Sequence, residues 1–260
     1  MRSFSSKATF SKRVRTAFST AFFTAVWSMV FIRSPAKVPR CRRRILMVVR
    51  NASRTYTCEA MPRVLILFAH PRLERSRTSR ALLRHLPDRP DVQLRDLYEL
   101  YPTFDVDIPR EQALLAEHDI VVMQHPVYWY SVPPLMKQWI DLVLAFGWAY
   151  GPGGTALRGK TWLHVTSTGG AAEAYTAAGF HGSTLADFMR PLQRTATLCG
   201  MRWLPPFAVH GTHRLDDAGL ERAAAAYGRL LAGLADGVLD PARLEGTTSL
   251  NLAVESLSGA

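Results

Sequence analysis

The sequence predicts an α/β protein with a doubly wound, five-stranded parallel sheet in the strand order 2-1-3-4-5. Five short, mostly apolar runs alternate with five segments in which apolar residues recur at helical spacing, as expected for parallel strands joined by crossover helices. Polar or glycine-rich loops follow the first, third and fourth runs, where an open α/β sheet binds its ligands. One domain over residues 61–239 is therefore predicted, with a single crevice at the ends of these three strands.

The predicted strands are runs of strand length that end in a turn. They are Arg63–Ala69, Val92–Asp96, Ile120–Gln124, Lys160–Ser167 and Trp203–Val209. The third run is apolar without alternation, which is typical of a strand that is buried on both faces of a parallel sheet.

The predicted helices follow these strands in turn. They are Ser79–Leu86, a helix that begins near Pro109, a helix through Leu135 and Leu144, Leu185–Leu198, and Asp216–Leu234. A proline suits the first helical turn and an aspartate suits a helix cap. The helix that contains Trp139 carries more apolar surface than one sheet face needs, which indicates either a homodimer contact or simple burial.

The net charge of +11 comes from the beginning of the chain. Residues 1–60 contain 13 of the 32 Lys and Arg residues and a single acid, Glu59, so the remaining 19 basic and 20 acidic residues nearly cancel. A basic groove for nucleic acid is therefore not predicted. The three cysteines lack the spacing of a zinc site or a disulfide framework, and no metal site is predicted.

The two ends of the chain are predicted to be disordered. Residues 17–32 form an uncharged run flanked by basic residues, shorter than the roughly 20 residues of a membrane span and without a clean cleavage site after it. Residues 1–60 are interpreted as an over-extended reading frame before a start at Met61, or as a targeting segment. Residues 240–260 are polar and aperiodic, which predicts a disordered tail.

The loop after the first strand predicts an anion site. His70 ends that strand, and Ser76, Arg77, Thr78 and Ser79 lead into the first helix. A helix N-terminus offers unpaired N–H groups and the positive end of the helix dipole, most simply to a phosphate. Neither GxGxxG nor a Walker A motif is present. The alternative is that the hydroxyl groups serve only as helix caps.

The loop after the third strand predicts a wall for a planar ligand. Val127, Tyr128, Trp129 and Tyr130 lie among three prolines, and aromatic rings held in a stiff loop can stack on a conjugated ligand. The alternative is a tight turn whose aromatic side chains belong to the ordinary core.

The loop after the fourth strand predicts a close approach between backbone and ligand. It reads Ser167, Thr168, Gly169 and Gly170, and paired glycines at the end of a strand leave room for a bound molecule. Together with the two preceding loops, it describes a site for a phosphorylated planar cofactor.

Six sequence segments carry a family resemblance. They are FAHP at 68–71, LYELYP at 97–102, QHPVYWYSVPPLMKQWID at 124–141, GWAYGPGGTALRGK at 147–160, STGG at 167–170 and LCGMRWLPPFAVH at 198–210. In these segments the chain resembles the flavodoxin-like NAD(P)H:quinone oxidoreductase family, and more narrowly the ancillary subunits of glutathione-regulated potassium-efflux (Kef) systems. The resemblance covers Met61 to about residue 237.

The resemblance implies FMN as the cofactor. By that resemblance, His70 and Ser76–Ser79 hold the phosphate and ribityl chain, Val127–Tyr130 flank the ring, and Ser167–Gly170 bond its polar edge. The family often has Asn at the position of Ser79, so the phosphate contact of that residue is open. Some members use FAD, which is the alternative cofactor.

The resemblance also implies a reaction and partners. NADH or NADPH would deliver hydride to N5 of the flavin and leave, and a quinone would take the electrons from the same face, in a ping-pong reaction. A cytoplasmic location is expected, and the homodimer is expected from the apolar surface of the helix that contains Trp139. The alternative is a regulatory subunit that binds a Kef-type potassium/proton antiporter at the inner face of the cell membrane, with a mainly structural flavin. A one-electron shuttle is disfavoured because the body of the chain is not strongly acidic.

Two residues are predicted to be catalytic from the same resemblance. Tyr175 and His181 follow the glycine pair at the spacing TGGxxxxYxxxxxHG. Similar residues in mammalian quinone reductases are thought to stabilise charge on the reduced flavin and to pass a proton, which a phenol and an imidazole can do. The alternative is that both residues contact only substrate or solvent.

Overall fold

The computed structural model describes residues 61–258, and it confirms the α/β sheet in the predicted order. Six strands form one parallel sheet with the order β2-β1-β3-β4-β5, and β6 also pairs with β4. The strands are β1 Val64–Phe68, β2 Val92–Asp96, β3 Ile120–Pro126, β4 Thr161–Ser167, β5 Arg202–Trp203 and β6 Phe207–Val209. Residues 1–60, with their predicted disorder, lie outside the described residues.

Helices cover both faces of the sheet. They are α1 Arg77–Arg84, α2 Leu97–Leu100, α3 Ile108–Glu117, α4 Pro134–Val143, α5 Leu185–Leu198, α6 Asp217–Ala235, α7 Pro241–Leu244 and α8 Leu250–Ser258. Two 3-10 turns lie at Leu73–Arg75 and Ala172–Tyr175. Within the described part of the chain, no helix has the length and apolar character needed to cross a membrane.

Two apolar cores separate the two layers of helices from the sheet. One core joins the sheet to α3, α4 and α5, and the other joins it to α1, α6 and α8. Every residue of β1 and of β3 is buried, which the apolar runs Val64–Phe68 and Ile120–Met123 predict and which extends to the polar Gln124 and His125. The parallel registers bring Phe68 beside Gln124 and Pro126 beside Ser167, so the three predicted ligand loops leave the sheet at neighbouring points.

The prediction of one continuous fifth strand is wrong. Trp203 pairs with Trp162 and Phe207 pairs with Val165, so three residues face two residues of β4 between these pairs. The interruption contains Pro205 and Pro206, which have no N–H group to donate to a sheet. The result is a bulge that divides the strand into β5 and β6.

The prediction of a disordered tail after residue 239 is also wrong for the part that the structure describes. Residues 241–258 contain α7 and α8, and Leu244, Leu250 and Val254 are buried in the core on the α6 side. These three apolar residues are separated mostly by polar residues, so the sequence shows no clear periodicity there. The side-chain amide of Asn251 accepts the N–H of Ala208 at 2.9 Å and donates to its carbonyl oxygen at 3.0 Å, which ties α8 to β6.

Trp139 does not form the exposed interface that its helix suggested. Its side chain is buried, and its Nε1–H donates to Oε2 of Glu111 at 3.0 Å. Glu111 also pairs with Arg95 and accepts the hydroxyl of Tyr101 at 2.6 Å. These four residues form a buried cluster, named here the Glu111 cluster. The apolar surplus of α4 is therefore used inside the chain around Trp139.

Candidate functional site

A cavity of about 410 Å³ lies where the loops after β1, β3 and β4 meet. It is lined by His70, Arg72, Arg75, Ser76, Arg77, Thr78, Pro126, Val127, Tyr128, Ser167, Gly169, Thr212 and His213. The position agrees with the predicted crevice at the carboxyl ends of the strands. We refer to this space as the cavity.

The start of α1 gives the cavity two free backbone donors. The Oγ of Ser76 accepts the N–H of Ser79 at 3.1 Å and caps the helix. The N–H groups of Arg77 and Thr78 are also in the first turn, and a helix cannot satisfy them internally. Both residues line the cavity, whereas Ser79 is buried behind it. The first turn of α1 therefore offers N–H donors at the cavity, as the predicted anion site requires, whereas the N–H of Ser79 is used in the helix cap.

His70 is held as a neutral donor at the edge of the cavity. Its Nδ1 accepts the N–H of Arg72 at 3.1 Å, so the proton of the neutral ring is on Nε2. Burial lowers the pKa of His70, which favours this neutral form. The ring packs edge-on against Tyr128, with ring centroids 6.1 Å apart. His70 can therefore donate one hydrogen bond to an anion without carrying a charge.

Several cavity residues were missed from the sequence. Arg72 precedes the 3-10 turn before α1 and Arg75 is the last residue of that turn, whereas Thr212 and His213 follow β6. Strand β6 is parallel to β4 and ends beside it, so the loop after β6 also lies at the crevice. The position of Thr212 and His213 after this strand could therefore have predicted them as cavity residues. Arg72 and Arg75 add positive charge to the cavity beside the predicted Arg77, whose guanidinium pairs with Asp217 at 2.5 Å.

The predicted aromatic wall is only partly built as expected. Tyr128 and Ser131 exchange two backbone hydrogen bonds of 3.0 Å, and the turn between them has φ of 47° at Trp129 and 63° at Tyr130. Positive φ at both central residues defines a type I′ turn, which is costly for bulky side chains. Val127 and Tyr128 line the cavity, but Trp129 is 93% exposed and lies outside its lining.

The loop after β4 places Ser167 and Gly169 at the cavity. A Cβ atom on Gly169 would come within 2.9 Å of Nε2 of His213, so a larger residue here would require the exposed His213 side chain to move. Thr168 is buried and donates its hydroxyl to the carbonyl oxygen of Gly170 at 2.8 Å. Its side chain therefore shapes the loop from behind, while its two neighbours line the cavity.

Tyr175 and His181 lie together beside Gly170. Their ring centroids are 4.5 Å apart, and a Cβ on Gly170 would be 3.2 Å from Cε2 of Tyr175 and 3.5 Å from Nε2 of His181. The hydroxyl of Tyr130 is 3.4 Å from Nδ1 of His181. Neither Tyr175 nor His181 lines the cavity, so the structure brings the pair to its rim, and their catalytic role stays a prediction.

His210 adds a third polar ring to this group. The hydroxyl of Thr168 already donates to Gly170, so it must accept the hydrogen bond that joins it to Nδ1 of His210 at 2.9 Å. Burial lowers the pKa of His210, which keeps the ring neutral with an acceptor at Nε2. Its ring centroid is 5.4 Å from that of Tyr175.

Comparison with known proteins supports the fold. A family model described as the flavodoxin-like fold matches residues 62–231. The chain is 46% identical over 164 residues to the glutathione-regulated potassium-efflux system ancillary protein KefF of Klebsiella pneumoniae, which covers 63% of this chain and 92% of the relative. The corresponding protein of Salmonella typhi is 47% identical over 170 residues, with 65% and 96% coverage.

The similar solved structures include the following two. General stress protein 14 of Treponema denticola, solved in complex with FMN, has a TM-score of 0.63 and 37% identity, covering 66% of this chain and 99% of that one. An NADPH-quinone reductase of P. pentosaceus has a TM-score of 0.59 and 34% identity, covering 64% and 96%.

Proposed function

The chain belongs to the family with the flavodoxin-like fold, and from this premise we propose that it is an FMN-dependent NAD(P)H:quinone oxidoreductase. The observation that carries the proposal is the cavity itself. It combines unpaired helix N–H groups and cationic side chains at one part with an aromatic side chain and a close-approach glycine at another. A phosphate and a planar ring system on one molecule would use both parts.

The donor set of the cavity suits FMN. The N–H groups of Arg77 and Thr78 would hold the phosphate, since a helix N-terminus attracts negative charge. Arg72 and Arg75 would add positive charge, and the Nε2–H of His70 would add a neutral donor. FMN is preferred over FAD because the Treponema denticola structure, at 37% identity, contains FMN.

The other end of the cavity would hold the ring. Val127 and Tyr128 would pack against it, and Ser167 and Gly169 would approach its polar edge. When bound, FMN would supply the redox chemistry, taking hydride at N5 from NADH or NADPH and then passing the electrons to a quinone after the nicotinamide has left. The contribution of the chain is to position both partners and to stabilise charge.

Tyr175 and His181 would serve this charge stabilisation from the rim. The phenol can donate a hydrogen bond to developing negative charge, and the imidazole beside it, 4.5 Å away between ring centroids, can provide the proton. His181 would transfer the proton, because the hydroxyl of Tyr130 lies 3.4 Å from its Nδ1 and can fix the ring orientation.

The function is tested with the purified full-length chain. We expect a yellow protein whose released flavin is identified as FMN by mass spectrometry, and steady quinone-dependent oxidation of NADH or NADPH. Tyr175→Phe and His181→Gln should retain flavin but slow its reduction, each by up to about 10²-fold, in stopped-flow experiments. Tyr227→Phe, which changes a buried phenol among the residues packed on α1, α6 and α8, is the matched control. A colourless wild-type protein without FMN affinity would refute the oxidoreductase proposal.

A regulatory role is the second candidate, favoured by 45–47% identity to proteins named as ancillary components of potassium efflux. In that role the chain would bind a Kef-type antiporter at the inner face of the cell membrane, and the flavin would be structural. Co-purification with such an antiporter, with unchanged efflux activation by the Tyr175→Phe variant, would favour regulation. Loss of activation in that variant would tie regulation to turnover.

We also propose a homodimer, although the apolar surface of the Trp139 helix is used inside the chain. The exposed aromatic side chains of Trp129, Phe146 and Phe180 are available for such a contact, in place of the buried Trp139. Analytical ultracentrifugation at micromolar concentration should give a dimer. Sedimentation as a monomer would remove this part of the proposal.

A further inference from the structure

Three buried side chains, joined by hydrogen bonds, connect the core to the edge of the cavity. The Nε1–H of Trp162 donates to Nε2 of His164 at 3.0 Å, and Nδ1 of His164 lies 2.8 Å from Nε2 of His125. Nδ1 of His125 in turn lies 2.9 Å from the carbonyl oxygen of Pro126. All three side chains are buried on the α4 and α5 side of the sheet, and Pro126 lines the cavity.

The chemistry at its two ends fixes the direction of every hydrogen bond. Indole can only donate, so Nε2 of His164 must accept and its proton must be on Nδ1. A carbonyl oxygen can only accept, so His125 must carry its proton on Nδ1 and accept at Nε2. The remaining bond therefore runs from Nδ1–H of His164 to Nε2 of His125. Both histidines have the Nδ1–H form, and no ring nitrogen is left unpaired.

The arrangement leaves no place for an additional proton. A second proton on His125 would be directed at the Nδ1–H of His164, and a second proton on His164 would be directed at the indole N–H. Burial also lowers the pKa of His125 to about 4, and burial followed by the neighbouring His125 lowers that of His164. The Nδ1–H group of His125 is therefore a neutral donor with a fixed direction toward the carbonyl oxygen of Pro126.

The peptide that receives this donor joins two loops of the cavity. Its carbonyl oxygen, on Pro126, accepts from His125, and its N–H, on Val127, donates to the carbonyl oxygen of Ser167 at 2.8 Å. Pro126, Val127 and Ser167 all line the cavity. The peptide plane is therefore held at both polar ends, and rotating it would break both bonds.

We propose that Trp162, His164 and His125 act as a positioning relay that fixes the Pro126–Val127 peptide and, through it, the distance between the loops after β3 and β4. None of the three side chains lines the cavity, so they are positioning residues and not catalytic ones. The ligand whose binding they would tune is the FMN of the proposed function, on which this part of the inference rests. The tautomer pattern itself does not depend on any ligand.

The first test measures the tautomers directly. Long-range ¹H–¹⁵N correlation spectra of the flavin-free, full-length protein should show His125 and His164 as neutral Nδ1–H forms at pH 7. Assignment uses His125→Asn and His164→Asn, each of which removes one ring. An Nε2–H or doubly protonated form at either residue would overturn the relay, and this result is independent of whether the protein binds FMN.

The second test separates positioning from packing. Asn can place a donor near the Nδ1 position of a histidine, whereas Gln places its amide near the Nε2 position, so His125→Asn can keep the bond to Pro126 and His125→Gln cannot. Each variant loses one buried hydrogen bond, and the two should have similar free energies of unfolding. We expect FMN to bind about tenfold more weakly to the Gln variant than to the Asn variant, with a shifted visible spectrum.

Tyr227→Phe is the control for this comparison. It removes a buried hydrogen bond of 2.9 Å to Gln124, the residue next to His125, and Tyr227 packs on the other face of the sheet. It should change the dissociation constant of FMN by less than about twofold. Equal FMN affinity in His125→Asn and His125→Gln would overturn the positioning role. If the wild-type protein binds no FMN, the proposed function fails while the tautomer experiment still decides the relay.

Discussion

The Glu111 cluster and the cavity both bring polar groups into the protein, but they treat those groups in opposite ways. In the Glu111 cluster, the carboxylate is fully buried and is shared by Arg95, Tyr101 and Trp139. In the cavity, the N–H groups of Arg77 and Thr78 remain available to a ligand. The hydrogen-bonding groups of the cluster are paired within the fold, whereas those of the cavity are open to the space that a ligand would occupy. Substitutions in the two regions should therefore change different measured quantities.

Glu111→Gln should have the largest effect on stability. It leaves the buried guanidinium of Arg95 without its counterion, which typically costs about 3–5 kcal/mol. Urea denaturation should show this loss, while the FMN dissociation constant of the folded protein stays near the wild-type value. Glu117→Gln, which breaks an exposed pair with Arg63, is the control and should cost less than about 1 kcal/mol. A comparable cost for both variants would show that burial of the cluster is not what matters.

Acidification should weaken the protein through its neutral histidines. Burial lowers the pKa in five of them, which are His70, His118, His125, His164 and His210. Below about pH 6.5 the unfolded state binds protons that the folded state refuses, so the free energy of unfolding falls as the pH falls. The folded pKa of about 4 at His125 alone corresponds to about 3 kcal/mol over this window.

Urea denaturation between pH 7.5 and pH 4 measures this slope. His125→Asn should flatten it, because the variant no longer has the group with the strongly lowered pKa. A wild-type stability that stays constant or rises on acidification would be incompatible with buried, neutral histidines.

Gly169→Ala should reverse the pattern of Glu111→Gln, with a large effect on binding and a small one on folding. The added methyl group would meet the exposed side chain of His213 at 2.9 Å and occupy space at the cavity. His213 can move away, so the free energy of unfolding should change by less than about 1 kcal/mol. FMN should bind about tenfold more weakly in a fluorescence titration. Gly246→Ala, in open space, is the control, and equal affinities in the two variants would place the ring elsewhere.

Ser76→Ala should have the smallest effect, and it should affect both quantities. The hydroxyl caps α1, so its loss should cost about 1 kcal/mol of stability and loosen the N–H groups that face the cavity. Thr184→Ala removes a similar cap from α5, away from the cavity lining, and should cost stability without weakening FMN binding. If both variants weakened FMN binding equally, the start of α1 would have no special part in the site.

Much of the fold and of the cavity could be predicted from the sequence. The strand order, the crevice and the cavity positions of His70, Ser76, Tyr128, Ser167 and Gly169 follow from apolar periodicity and from the loops at strand ends. These features depend on local patterns and on the general rules for connecting parallel strands.

Other features depend on contacts that are remote in sequence. The exposure of Trp129 results from a type I′ turn, a conformation that glycine or asparagine would have signalled and two aromatic residues do not. The buried position of Trp139 depends on its hydrogen bond to Glu111, which is 28 residues away in the sequence. The relay through His164 and His125 requires the register between β3 and β4, since the two residues are 39 positions apart.

The side-chain amide of Asn251 has a consequence for the behaviour of the protein at high concentration. Strand β6 pairs with β4 and, among the residues that the structure describes, has no strand on its other side. On that side, the N–H and C=O of Ala208 form hydrogen bonds with the side-chain amide of Asn251. An uncovered strand edge is a template on which a strand of another molecule can add, and successive additions lead to aggregation. The side chain of Asn251 occupies the hydrogen-bonding positions of Ala208 and offers no further strand edge. We therefore expect α8 to prevent a strand of another molecule from adding to β6 at this point.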